Sequence, residues 1–215
     1  MRVWTFRRTS EALNAVTAYG PRISGMARRI PSWVIYLLGS IPGLLLILRT
    51  VNGQLGIDPV ETLEHEFGLL ALQFLLGSLT ITPILRFARI NLLKFRRALG
   101  LLSFGYLVLH LLVWLVLDQQ LRLSLILPEI GKRTYLIIGL ISFLLLVPLA
   151  VTSWSGAVRR MGAKQWVRLH RLVYLAVLLG AVHFLLQEKV WTLESMIYLA
   201  SAILLVGMRL IWIRS

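Results

Sequence analysis

The residues best suited to chemistry in this chain are its four histidines, His65, His110, His170 and His183, because the sequence contains no cysteine. Without thiolate ligands, iron–sulfur clusters and cysteine-attached haem are excluded, and disulfides are excluded with them. Any metal ion bound by the chain must therefore be held by histidine nitrogens or by oxygen donors.

His110 and His183 both lie within long apolar stretches of the sequence. Ionisable residues are costly inside a membrane, so a functional role is the first hypothesis for both. Each follows the basic start of its stretch by about 13 residues, which is roughly 20 Å along a helix. If the two helices run in the same direction, their imidazoles lie at the same depth and can bind one haem iron from opposite sides. A hydrogen-bonded pair of core histidines is the alternative.

His170 precedes His183 by 13 positions, whereas Arg96 precedes His110 by 14. Fourteen helical residues return to nearly the same face, but thirteen leave a difference of roughly 140°. A straight helix would therefore aim His170 and His183 differently, unless it is distorted near Gly180. The roles left open for His170 are a second haem ligand opposite an arginine, a contact to a haem propionate or a flavin, and an interfacial histidine without a cofactor.

His65 lies between Glu64 and Glu66 in an acidic stretch. This setting is typical of a solvent-facing surface histidine, which is the simplest interpretation. The stretch is expected at the outer face of a membrane, so contact with a partner protein or a quinone is the alternative.

Six apolar segments predict six membrane-spanning helices, since about 20 residues cross about 30 Å of hydrocarbon. The hydrophobic fraction of 58% and the mean hydropathy of +0.79 exceed what a soluble domain of 215 residues can bury. Pro42, Pro83 and Pro148 are expected to kink their helices. The predicted segments are Ser32 to Leu48, Phe67 to Phe87, Ala98 to Leu117, Tyr135 to Val151, Leu169 to Gln187 and Ser195 to Trp212.

The net charge of +14 comes from short lysine and arginine clusters between the apolar segments. This distribution excludes a nucleic-acid-binding domain and is typical of a protein in a lipid bilayer. Basic connectors alternate with acidic or mixed ones, which places both termini and the second and fourth connectors in the cytoplasm. Residues 1–30 are expected to form a basic cytoplasmic tail, because they lack an apolar core beside a cleavage site, and residues 31–215 the transmembrane domain.

Four short motifs follow one another in a characteristic order. They are Gly56-Ile57-Asp58-Pro59-Val60 before His65, Ile81-Thr82-Pro83 before Arg86, Arg96-Arg97-Ala98-Leu99-Gly100 before His110, and Trp166-Val167-Arg168-Leu169-His170-Arg171-Leu172-Val173-Tyr174 before His183. In sequence and spacing they resemble the MsrQ family of bacterial haem-binding membrane subunits, which is part of the ferric-reductase-like transmembrane superfamily. The resemblance covers about residues 35 to 212.

The resemblance implies an all-α, ferric-reductase-like bundle of six transmembrane helices in the bacterial inner membrane. It implies haem b bound by His110 and His183, with His170, Arg96 and Arg97 as further cofactor-binding residues and FMN as a second carrier. Relatives in the superfamily bind two stacked haems through two histidines on each of two helices. Arg96 stands at the position of one of these histidines, so the number of haems stays open at one or two.

The resemblance also implies a function in electron transfer. Electrons would pass from membrane quinones to MsrP, a periplasmic molybdopterin-containing reductase that repairs oxidised methionine in proteins, so the catalytic site would lie on that partner. The sequence has no glycine-rich dinucleotide motif, and use of NAD(P)H would need a further partner such as a cytosolic flavin reductase. The alternatives are a ferric reductase or another quinol-linked cytochrome b subunit. A small transporter with a histidine proton relay is disfavoured by the lack of intramembrane Asp and Glu and of an inverted repeat.

Overall fold

The computed structural model describes residues 19–188 and 190–214, except for the side chains of Leu125, Ile213 and Arg214. Within these residues all regular structure is helical, and the first eighteen residues of the expected basic tail lie outside them. The first helix, α1, covers residues 19–29. The others are α2 (Ser32–Val51), α3 (Pro59–Ala88), α4 (Leu93–Leu112, continued by a π-helical segment over Val113–Asp118), α5 (Leu123–Lys132), α6 (Thr134–Val151), α7 (Ser155–Met161), α8 (Ala163–His170), α9 (Leu172–Gln187) and α10 (Leu193–Arg214).

Six helical segments of the described chain are long and apolar enough to cross a membrane, as the sequence predicted. The fifth of them combines α8 and α9. Their bounds are Ser32–Val51, Pro59–Ala88, Leu93–Asp118, Thr134–Val151, Ala163–Gln187 and Leu193–Trp212.

Helix α3 begins earlier than the sequence interpretation placed it, at Pro59 rather than Phe67. Asp58 caps the helix, because its carboxylate accepts a hydrogen bond from the Glu61 backbone nitrogen at 3.0 Å. Pro59 suits the first helical position, where its missing N–H is not needed. His65 therefore lies on a helix of the bundle, and its assignment to an acidic connector was wrong.

Two antiparallel helix pairs form the centre of the bundle, α3 with α4 and α6 with α9. A serine links the helices of each pair near their midpoints. Ser103 Oγ donates to the Ala71 carbonyl at 2.7 Å, and Ser142 Oγ donates to the Ala176 carbonyl at 2.9 Å. Leucines and small residues of α3, α6, α9 and α10 fill the space between the pairs. The central pairs thus provide a packed scaffold on which side chains can be positioned.

Helix α2 is attached to α4 beside Pro42. The Tyr106 hydroxyl of α4 donates to the Gly39 carbonyl at 2.6 Å and accepts from the Gly43 backbone nitrogen at 3.0 Å. A Cβ atom on Gly43 would lie 2.7 Å from the Tyr106 ring, so only glycine permits this approach. A neighbouring helix thus satisfies backbone groups next to the proline, as membrane helices require.

The two ends of the bundle differ in charge. We call one the acidic end, because it holds every aspartate and glutamate of the described residues. These are Asp58, Glu61, Glu64, Glu66, Asp118, Glu129, Glu188 and Glu194. The opposite, basic end has no carboxylate side chain within the described residues. Its cations include Arg86, Arg89, Lys94, Arg96, Arg97, Arg159, Arg160, Lys164, Arg168, Arg171 and Arg209.

Candidate functional site

A cavity of about 760 Å³ opens at the acidic end between α3, α4, α6 and α9. Its volume falls within the range of about 300–1,000 Å³ that is usual for sites of organic ligands. The walls bring together His65 from α3, His110 from α4 and His183 from α9, which are far apart in the sequence. Most of the deeper wall is apolar, with Leu72 and Phe143 among its residues. This cavity is the candidate functional site.

His110 and His183 lie side by side in the cavity wall. Their ring centres are 6.2 Å apart, and their planes are inclined at 78°. Both side chains are partly buried. The sequence argument placed the two imidazoles at matching depth on helices that run in the same direction, and the structure brings them together there.

Each of the two imidazoles is fixed by a backbone carbonyl of the neighbouring helix. His110 Nδ1 lies 2.8 Å from the Glu64 oxygen on α3, and His183 Nδ1 lies 2.8 Å from the Tyr135 oxygen on α6. A carbonyl oxygen can only accept, so Nδ1 must carry the proton in both rings. The lone pair is then on Nε2, which is the arrangement of a neutral histidine that ligates a metal.

Two glycines allow the histidines to come this close to the neighbouring helices. A Cβ atom on Gly68 of α3 would lie 3.0 Å from His110 Nδ1, and one on Gly139 of α6 would lie 2.7 Å from His183 Nδ1. In both helices the glycine stands four residues after the residue whose carbonyl accepts the hydrogen bond, one helical turn further along. The two histidines are thus held in the same way.

The likeness extends along both helix pairs. In each pair, one hydrogen bond joins a serine to an alanine carbonyl and another joins the histidine to a backbone carbonyl. On both helices of the pair, the residues of these two bonds are seven positions apart. Helices α3 and α6 run from the acidic to the basic end, while α4 and α9 return. The pairs therefore form a repeat of the same orientation rather than an inverted one, and equivalent positions deliver the two imidazoles to the cavity.

This arrangement can bind one metal ion between two neutral imidazoles. Their ring centres lie 6.2 Å apart, and the carbonyl contacts leave the Nε2 lone pair of each ring unused. In the described parts of the chain, no group of three or more His, Cys, Asp or Glu side chains could hold a bare metal ion. The geometry thus suits a metal whose remaining ligands belong to an organic cofactor.

His65 lines the same cavity rather than facing solvent as the sequence suggested. Its side chain is partly buried, and its ring packs against Phe184 with 5.6 Å between ring centres. Gln187 Nε2 donates to His65 Nδ1 at 3.3 Å. The early start of α3 explains the difference, because it turns His65 towards the bundle instead of leaving it in a connector.

Carboxylates surround the mouth of the cavity, where Arg133 is the one lysine or arginine among the described lining residues. Arg133 forms an ion pair with Glu129 at 2.9 Å and donates to the Tyr135 hydroxyl at 2.8 Å. The bond to Tyr135, followed by the nearby carboxylates, raises the pKa of Arg133. The mouth is thus acidic, and its single arginine is fixed beside the residue that anchors His183. The acidic residues of the lining are Asp58, Glu61, Glu64, Asp118, Glu129 and Glu188.

His170 lies at the basic end, away from the other three histidines. Its Nε2 is 3.0 Å from Thr152 Oγ1, and its ring stacks on Trp166 with 3.8 Å between ring centres. Arg96 is partly buried and close enough to act on His170 electrostatically, whereas Arg97 is exposed. The structure thus places His170 within electrostatic reach of Arg96 and brings neither residue to the cavity.

Comparison with known proteins identifies the family of the chain. Residues 65–181 match the family described as ferric reductase like transmembrane component. The chain is 46% identical over 180 residues to the protein-methionine-sulfoxide reductase heme-binding subunit MsrQ of Brucella ovis and to that of Brucella canis, an alignment that covers 84% of this chain and 80% of each relative. This chain belongs to the MsrQ family. The MsrQ of Brucella melitensis is 45% identical over the same length. No solved structure matches the chain.

Membership of the MsrQ family confirms the resemblance, and together with the six apolar helices it establishes a multi-pass membrane protein. Sequence reasoning missed the glycines at positions 68 and 139 and the serines that link the helix pairs. Glycine and serine are common where membrane helices approach closely, so their presence within spans was the available signal. It did not show which histidine each glycine faces.

Proposed function

We propose that this MsrQ-family chain holds haem b between His110 and His183 and passes electrons to a partner reductase. The observation that carries the proposal is the pair of imidazoles at 6.2 Å, each with Nδ1 bound to a backbone carbonyl. Haem bound in this way supplies reversible one-electron chemistry at the iron.

The residues of the cavity fit a haem. His110 and His183 would hold the iron, and a porphyrin would supply its remaining ligands. The relatives in Brucella are named as heme-binding subunits. One haem occupies this cavity in our proposal, and the basic end is where a second would have to bind.

The chain's own residues set the properties of the site. The Glu64 and Tyr135 carbonyls fix the orientation of the two rings and raise the basicity of their free nitrogens. Apolar residues such as Leu107 and Leu146 exclude water from the deeper part of the cavity. A dry surrounding of low dielectric tunes the reduction potential of an electron carrier.

We place the route of electrons within methionine sulfoxide repair. The donor is the quinone pool of the bacterial inner membrane, FMN is a second carrier, and the acceptor is a periplasmic molybdopterin-containing subunit of the MsrP type. The relatives' description as a subunit of a protein-methionine-sulfoxide reductase supports this route. The reduction of methionine sulfoxide then takes place on the partner.

The proposed orientation puts the acidic end in the periplasm and both termini in the cytoplasm. Its support is the positive-inside rule, since the described basic end has many arginines and no carboxylate side chain. His65 at the outer cavity is then placed to contact a quinone or the partner. At the cytoplasmic side, His170, Arg96 and Arg97 are proposed cofactor contacts that would receive electrons from a flavin reductase or bind a second haem.

Reconstitution tests the proposed function. The purified haem-loaded protein is reduced with a quinol analogue and mixed with an MsrP-type reductase, and haem oxidation is followed by absorption after methionine sulfoxide is added. We expect rapid reoxidation only when both the partner and methionine sulfoxide are present. The family description also names ferric reductases. Equal reoxidation by a ferric chelate without the partner would favour that second function and contradict the first.

A further inference from the structure

Arg209 of α10 is a cation placed deep in the basic end, outside the histidine cavity. Its side chain is partly buried, and one terminal nitrogen donates a hydrogen bond to Thr82 Oγ1 on α3. Its Nε atom is buried and has no hydrogen-bond partner, the one such side-chain atom among the described residues. A buried charged donor without an acceptor is unfavourable, so the structure calls for an acceptor at this point.

The nearest charged groups do not supply that acceptor. Tyr174 acts on Arg209 favourably and Arg96 and Arg86 act on it as like charges, but none of the three is hydrogen-bonded to its Nε atom. The guanidinium of Arg86 lies 4.6 Å from the centre of the Trp212 ring. Thr82 and Arg86 are four residues apart on α3, while Arg209 and Trp212 are three apart on α10. Each pair therefore occupies one helix face, and the two faces meet. Arg86 thus lies about one helical turn beyond the contact between Thr82 and Arg209.

No aspartate or glutamate of the described chain can neutralise these groups, because all of them lie at the opposite end. An anion that is not part of the described chain is therefore the natural counter-charge. Guanidinium groups bind phosphate with two parallel hydrogen bonds, and Nε–H together with a terminal N–H is one such fork.

We propose that Thr82, Arg86 and Arg209 form an anion site at the basic end that binds a phosphate group. Arg209 provides its unpaired Nε–H, and Arg86 provides a second guanidinium from the facing helix. Since the site lies near the ends of two spans, the phosphate can belong to an anionic lipid headgroup or to a soluble phosphomonoester. Both sources present the same chemistry to the arginines.

Binding measurements on the full chain in detergent test the site with two pairs of probes. FMN is compared with riboflavin, which lacks the phosphate, by quenching of flavin fluorescence. Phosphatidylglycerol is compared with zwitterionic phosphatidylcholine by native mass spectrometry. We expect at least one phosphate-bearing probe to bind tighter than its counterpart. Preference in the flavin pair alone identifies a soluble ligand, and preference in the lipid pair alone identifies a headgroup.

Arg209→Gln is expected to weaken that binding about tenfold, the effect of losing one charged bidentate contact. Arg160→Gln is the matched control, because this substitution removes the same charge at the same end of the bundle. Arg160 is exposed, and its guanidinium lies 5.5 Å from the centre of the Trp154 ring. It should bind as the wild type does. Arg86→Gln changes an exposed side chain and should weaken binding even if Arg209→Gln does not fold.

Two results would overturn the proposal. One is that neither FMN nor phosphatidylglycerol binds tighter than its comparison compound. The other is that Arg86→Gln and Arg160→Gln weaken binding equally, which would mean that the general positive charge of this end, and not a built site, attracts phosphate.

Discussion

The histidines at the two ends of the bundle use their ring nitrogens in opposite ways. At the acidic end, His110 and His183 give Nδ1 to a backbone carbonyl and leave Nε2 for a metal. At the basic end, Nε2 of His170 already bonds to the Thr152 hydroxyl, and Trp166 covers its ring. The acidic-end pair, unlike His170, combines a fixed Nδ1–H with a facing imidazole, and for this reason our proposal gives the haem to that pair.

The hydrogen-bond partners of the histidines at the two ends also differ in conformational freedom. A backbone carbonyl within a helix cannot turn away, so it holds the ring of His110 or His183 in one tautomer. The Thr152 hydroxyl can rotate, and it also donates to the Pro148 carbonyl at 2.6 Å. His170 can therefore change partners more readily than the other two, which leaves a role at a second cofactor open to experiment.

Replacing the histidines is expected to have the largest effect, which is a change in haem content. We expect His110→Ala and His183→Ala to lose all haem from the cavity, because each change would leave only one imidazole to hold the iron. His170→Ala should keep the full haem content if one haem is bound and about half if two are bound. Haem content per purified protein, determined by absorption after extraction into pyridine, measures the result.

Size-exclusion profiles and melting temperatures of the same samples show whether the variants are folded. The comparison between the ends fails if His170→Ala keeps no haem while all three proteins remain folded.

The glycines beside the histidines give the next largest effect. Gly139→Ala should weaken haem binding about tenfold or more, in the range seen for residues that orient metal ligands, because its Cβ would lie 2.7 Å from His183 Nδ1. Gly68→Ala should have a smaller effect, since the corresponding distance to His110 is 3.0 Å. The rate of haem transfer to apomyoglobin measures the difference.

Gly105→Ala is the control for added bulk within a span, because a Cβ on Gly105 meets no atom within 4 Å. It should release haem at the wild-type rate. Equal rates for the alanine variants at positions 68, 105 and 139 would show that glycine is not needed beside the imidazoles.

The sequence predicted the central pair but not what holds it. Equal distances of His110 and His183 from basic span starts were enough to infer a shared depth, because helical rise is constant. The position of His65 was misjudged, since Asp58 and Pro59 were taken as part of a connector although together they start a helix. Gly68 and Gly139 could not be assigned, because a single sequence does not show which helices are neighbours.

The helical period correctly indicated that His170 and His183 differ in their surroundings. Thirteen residues do not return to the same helix face, and in the structure His170 and His183 have separate surroundings at opposite ends of their span. The partners of His170 were beyond the sequence argument. Thr152 directly follows α6 and Trp166 belongs to α8, and their contact depends on the path of the chain through α7.

The smallest expected effect comes from replacing the two serines that join the helices of the central pairs. Ser103→Ala and Ser142→Ala each remove one hydrogen bond between helices, and each should lower the stability of the bundle by about 0.6 kcal/mol, the average for such bonds in membranes. The two bonds join their helices at equivalent levels, although the serine lies on α4 in one pair and on α6 in the other, so the two losses should be similar. Haem content should not change, because both serines line the cavity but neither is bonded to an imidazole. Unfolding in a mixed detergent, followed by circular dichroism, measures the stability of both variants. If one variant loses haem while the other keeps it, the helix pairs do not support the cavity equally, and their likeness is confined to the backbone.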